Sequence, residues 1–141
     1  MRAHATLTRQ LSADLVASHG LTLNDYEVLL HLSRAPERSL RRIDLAERVL
    51  LTPSGITRLL DGLERAGLVE KATCEHDARV SYAVLTDAGY ERLRAAGKTH
   101  VQGIRKLFVE RFSEDELDGL GALLSRLPGG ALDGDAACSA D

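Results

Sequence analysis

The chain has 141 residues, 44% of them hydrophobic, with 18 Lys/Arg against 21 Asp/Glu and a formal charge of −3. That length supports one domain with a real core. No stretch reaches the roughly 20 uninterrupted apolar residues of a membrane span, and the first residues lack the apolar core of a signal peptide, so a cytoplasmic location without a membrane partner is expected.

In chain order, a first helix is predicted from about Leu7 to Ser18, with Leu7, Leu11 and Leu15 at a four-residue spacing and a stop at Gly20. A second opens at Thr22, places Tyr26, Leu29, Leu30 and Ser33 on related faces, and ends near Ala35-Pro36. A third runs from about Arg41 to Leu50 with Ile43, Ala46, Val49 and Leu50 inward. The fourth reads "TPSGITRLLDGLERAGLV": Thr52 fits an N-cap, Pro53 the first helical position, and Gly67 the end. Ile56, Leu59, Leu60 and Leu63 follow the 3.6-residue period, leaving Ser54, Thr57, Arg58, Asp61 and Arg65 on the outer face. Asp61 and Arg65 stand at the spacing of an intrahelical pair or of two groove-facing residues.

Leu68 to Cys74 is a β-prone run, Glu75 to Arg79 a polar link, and Val80 to Leu85 alternates, so the piece is a hairpin with a charged tip. Thr86-Asp87 then starts a long helix reaching about Arg111. Ser113 and Glu116 form a capping box for a last helix carrying Leu117, Leu120, Leu124 and Leu127. From Pro128 the residues are small, polar and acidic, as in a disordered tail.

Helix, helix, recognition-like helix and hairpin with a charged tip, in this order, is a mainly α winged helix-turn-helix with a β-hairpin wing and flanking N- and C-terminal helices. It divides into 1–20, 21–90, 91–127 and a tail 128–141, one domain overall. Small or hydrogen-bonding side chains at Ser54, Thr57 and Arg58, on turns opened by Thr52 and Pro53, suit a helix whose first turns reach base edges in the major groove. Arg79 at the wing tip suits the minor groove, with Asp77 placed to orient its guanidinium. Arg41 and Arg42 are candidate phosphate contacts.

The overall charge argues against a uniformly basic nucleic-acid binder, but its distribution is uneven. Arg34 to Arg79 holds nine Lys/Arg against eight Asp/Glu, and the remainder nine against thirteen. No nucleophile elbow, phosphate loop or zinc-protease motif occurs, so no enzyme and no cofactor are expected. His4, His19, His31 and His76 form no recognisable metal set, and Cys74 and Cys138 form neither a ligand spacing nor a disulfide framework. The competing reading is a winged helix used only as a protein-interaction module, which would not require arginine at the tip.

In these residues the chain resembles the MarR family of bacterial transcriptional regulators. The likeness rests on Asp77-Ala-Arg79 followed by Leu85-Thr86 and Gly89, on Leu21-Thr22 with Tyr26 and Leu29, on Asp44-Leu45-Ala46, and on Ser54 through Gly67-Leu68-Val69. Val80 stands where members often carry glycine. The resemblance implies a homodimeric repressor or activator that binds pseudo-palindromic double-stranded DNA and responds to a small-molecule effector. It further implies a ligand cavity beside the dimerisation helices, for which His100 and Ile104 are the candidates. Leu7, Leu11, Leu15, Leu117, Leu120 and Leu124 are the candidate dimerisation residues, since an apolar arm outside the winged helix needs a partner. A peroxide-sensing branch uses a cysteine in the first helix, and this chain has none before Cys74.

Overall fold

A computed structural model describes residues 2–74 and 79–128. The elements run α1 (Arg2–His19), α2 (Leu23–Arg34), β1 (Ser39–Arg41), α3 (Arg42–Arg48), α4 (Pro53–Arg65), β2 (Val69–Thr73), β3 (Ser81–Leu85), α5 (Asp87–Ile104) and α6 (Glu114–Leu124). The chain divides into two compact units, Met1–Gly103 and Ile104–Asp141. The predicted tail beyond Pro128, with Cys138, lies outside the described residues, as do Glu75, His76 and Asp77 of the hairpin tip.

In the first unit, Leu15 of α1, Val28, Leu29 and Leu32 of α2, Leu45 of α3, Ile56 of α4 and Val69 of β2 are fully buried in one core. Each helix reaches it through a stripe at helical spacing, and its ends are closed by local chemistry. The Thr22 hydroxyl accepts from the Asp25 N–H at 3.2 Å while the Asp25 carboxylate accepts from the Thr22 N–H at 2.8 Å, a reciprocal cap on α2. Ser113 and Glu116 repeat that box on α6 in the second unit, where the long helix predicted to Arg111 instead gives way to a π-helical turn at Arg105–Val109.

The sheet is antiparallel in the order β1-β3-β2. Its hairpin pairs Val69 with Leu85 and Thr73 with Ser81, and Ala83 and Leu85 turn into the core. Val80 accepts the Cys74 N–H at 3.1 Å and is not among the described residues with positive φ, so no glycine is needed there. Strand β1, paired Leu40 to Ala83, was not predicted: a three-residue Ser-Leu-Arg run has no alternation to read and exists because β3 offers it an edge. Arg41 accordingly ends a strand and caps α3 rather than opening a helix.

The predicted inward face of α3 needs correction. Ala46 and Val49 are buried, but Ile43 is 62% and Leu50 92% exposed, and Leu45 takes the inward position. The helix ends at Arg48, so Leu50 is past its end with φ of 54°. The Leu51 N–H donates to the Ala46 carbonyl at 2.9 Å and the Leu50 N–H to Glu47 at 3.3 Å, the bonding of a left-handed helix stop. Helix α4 ends the same way: Gly67 has φ of 71°, the Leu68 N–H reaches the Leu63 carbonyl and the Gly67 N–H that of Glu64, each at 2.9 Å. One stop has the glycine its conformation favours, and the other holds leucine.

Helix α5 is seated by Thr86. Its N–H donates to the Leu68 carbonyl at 3.1 Å, its hydroxyl donates to the Gly67 carbonyl at 2.8 Å, and the same oxygen accepts from the Gly89 N–H at 3.0 Å. A Cβ on Gly89 would lie 2.1 Å from the Leu68 carbonyl oxygen, so any side chain there forces α5 off the base of the hairpin. Farther along α5, the His100 ring lies 4.8 Å from that of Tyr26, and burial lowers the imidazole pKa.

Leu50→Gly is expected to raise unfolding free energy by about 1 kcal/mol, because relief of the left-handed strain outweighs the added freedom of the unfolded chain and no buried contact is lost. Gly89→Ala is expected to lower it by about 2 kcal/mol or more. Urea titration of both variants checks the opposite signs. An imidazole kept neutral by burial binds protons more readily unfolded. The stability it contributes is therefore fully present above the ordinary value of 6.5 and lost as pH falls below it, and His100→Gln should flatten that loss in the same titration.

Candidate nucleic-acid interface

The first turns of α4 form the centre of the site. The Thr52 hydroxyl accepts the Gly55 N–H at 3.1 Å, and Pro53, which has no N–H to leave unpaired, follows as the first helical residue. With Ile56, Leu60 and Leu63 buried, the helix turns Thr52, Pro53, Ser54 and Arg58 outward, and Thr57 is half-buried beside them. Thr57 donates its hydroxyl to the Pro53 carbonyl at 2.8 Å, which leaves the oxygen open to Arg42, whose guanidinium lies 3.4 Å away. Arg42 is thereby brought over the outer face of α4.

Its neighbour Arg41 is used differently. Two of its nitrogens grip the Asp44 carboxylate at 2.8 and 2.9 Å, and this holds the guanidinium pKa above its ordinary value. Of the two arginines named as phosphate contacts, Arg42 leans on the recognition-like helix and Arg41 is committed to the first turn of α3.

Arg79 is exposed, two residues before β3 begins. Its proposed orienting partner, Asp77, lies outside the described residues. Asp61 does not pair with Arg65. It accepts from the Lys71 ammonium at 2.5 Å, and Glu64 accepts from the same group at 2.9 Å. The hydrogen bond from Lys71 holds the Asp61 carboxyl below the ordinary range, and the bonds to Asp61 and then Glu64 raise the lysine. Sequence reading passed over Lys71. The signal was its place two residues after Val69, on the strand face that turns toward α4.

The other predicted residues divide. Leu15 is 0% exposed inside the chain's own core, which corrects its reading as a dimerisation residue: it offers no surface to a partner. Leu7 and Leu11 are half-buried and Val16 is 49% exposed on α1. In the second unit Leu117 is half-buried while Leu120 and Leu124, with the unpredicted Leu123, are exposed. His100 is half-buried with its Nδ1 enclosed and lacking a hydrogen-bond partner, and Ile104 is exposed. Among the described residues no group of three or more His, Cys, Asp or Glu is placed to hold a metal ion, and no helix is long and apolar enough to cross a membrane.

Comparison with known proteins agrees with this architecture. Residues 19–80 match the MarR family. The HTH-type transcriptional repressor YetL of Bacillus subtilis is 34% identical over 115 residues, covering 79% of this chain and 68% of that protein. The crystal structure of AbsC, a MarR family transcriptional regulator from Streptomyces coelicolor, superposes with a TM-score of 0.78 at 35% identity over 87% of this chain and 82% of that one. Sco3205, a regulator of the same family and organism solved in complex with DNA, gives a TM-score of 0.80 at 31% identity over 86% and 76%. The chain belongs to the MarR family of transcriptional regulators, and it is a regulator rather than an enzyme.

Proposed function

We propose that the chain binds a pseudo-palindromic site on duplex DNA as a homodimer and acts as a repressor released by a small molecule. The observation that carries the DNA reading is the outer face of α4, where Thr52, Ser54, Thr57 and Arg58 gather on the first turns with Arg42 leaning over them. Hydroxyls and arginines in that place suit base edges and phosphates together. The DNA complex of Sco3205 supports the same use of the fold, and the name of YetL supports repression.

The dimer reading rests on apolar surface. Leu120, Leu123, Leu124 and Leu127 of the second unit are all at least 40% exposed, and Val16 of the first unit is likewise exposed, so each unit by itself leaves large apolar side chains open to a partner. Two copies related by a twofold axis would close these faces and present two α4 helices to half-sites about 10 base pairs apart. The effector reading rests on His100, whose enclosed Nδ1 and contact with the Tyr26 ring suit a ligand with a polar atom on an aromatic body. Such a ligand releases DNA only through different affinity for two dimer shapes.

Binding of the duplex upstream of its own gene, followed across a salt series, tests the DNA reading. Arg79→Ala and Arg58→Ala should each cost on the order of 1–3 kcal/mol, and binding should fall steeply with salt. Binding that is flat in salt and indifferent to both arginines would favour the protein-interaction reading.

A further inference from the structure

We infer that Lys71 is a positioning residue for DNA binding, a cross-brace that fixes the wing to the recognition helix without itself touching DNA; the inference rests on the DNA-binding reading of α4 and the hairpin. Lys71 sits in the middle of β2, opposite Ala83 of β3. Directly paired residues of an antiparallel ladder point to the same face, and Ala83 is buried, so Lys71 leaves the sheet on the side that carries Val69 into the core. From there its ammonium reaches two carboxylates one turn apart on α4, Asp61 at 2.5 Å and Glu64 at 2.9 Å.

Two consequences follow from that placement. The first is mechanical. β2 is one leg of the hairpin that carries Arg79, and a single cation bonded to two points of α4 resists both sliding and splaying of the hairpin against the helix. An exposed ion pair contributes little to global stability, so the brace governs orientation rather than folding. The second is electrostatic. Asp61 lies one helical turn, about 6 Å, beyond Thr57, well within the screening length of about 8 Å at physiological salt. Without Lys71, two carboxylates on the recognition helix would face each other, and the DNA phosphates beyond, with no cation between them. With its ammonium taken by both, Lys71 is spent on the protein and does not add to the count of phosphate contacts.

The test compares wild type with Lys71→Ala on a mixed-sequence duplex about three helical turns long, enough for two half-sites, by fluorescence anisotropy across a salt series. Amide hydrogen exchange of β2 and β3 is measured on the same proteins without DNA. The expected result is binding weakened about three- to tenfold with the salt slope unchanged, hairpin amides that exchange severalfold faster, and an unaltered urea midpoint. A slope reduced by about 0.9 would make Lys71 a direct phosphate contact and overturn the inference. So would unchanged affinity, or hairpin exchange equal to wild type. If wild type binds no duplex at any salt, the DNA reading itself fails, and the brace is then judged by the exchange measurement alone.

Discussion

The seat of α5 on the backbone of Leu68 is the contact on which the rest of the molecule depends. Three parts of the fold meet there: the stop of α4 at Gly67, the base of the hairpin, and the first turn of α5. Thr86 joins all three with one N–H and one hydroxyl, which caps the helix and satisfies a carbonyl at the α4 stop at once. Gly89 lets the helix come close enough for those bonds to form, since a Cβ would collide with the Leu68 carbonyl oxygen. The direction of α5 is thereby set by the same backbone atoms that end α4, so a shift of one is felt by the other without a flexible joint between them.

That junction also explains why the pattern Leu85-Thr86 with Gly89 was so legible in the sequence. Each residue type is required by a local geometry that few others satisfy. The same holds for Thr52-Pro53 at the start of α4 and for the capping boxes at Thr22 and Ser113. Legibility failed where a residue's type disagreed with its conformation. Gly67 announces the end of α4, but Leu50 makes an equivalent stop and reads as one more apolar residue of α3, so the apolar pattern extends the helix too far and turns its inward face onto Ile43. A left-handed pair, Glu37 and Arg38, precedes β1 and is held by Arg38, which bonds Asp87 at 2.9 Å and stacks on the Tyr90 ring at 4.4 Å. Neither contact has a sequence pattern, because the partners are about fifty residues apart.

The candidate interface divides along the same line. Thr52, Ser54, Thr57 and Arg58 follow from helical period alone. The roles of the charged residues around them do not, since a charge is spent on whichever partner the fold brings near. Arg41 goes to Asp44 and Lys71 to Asp61 and Glu64, so acids close to the proposed DNA face are each bonded to a cation of the protein itself. A net charge of −3 is then compatible with binding a polyanion. The two carboxylates on α4 share one ammonium, which offsets half of their charge in place, while Arg58 stands on the outer face of the helix and Arg42 leans over it.

Selection of bound sequences from a random duplex library tests the central claim most directly, because it asks for symmetry and spacing as well as affinity. Two α4 helices related by a twofold axis should enrich a pseudo-palindrome whose half-sites lie about 10 base pairs apart, one helical turn. Enrichment of a single unrepeated half-site, or of no sequence at all, would contradict the account.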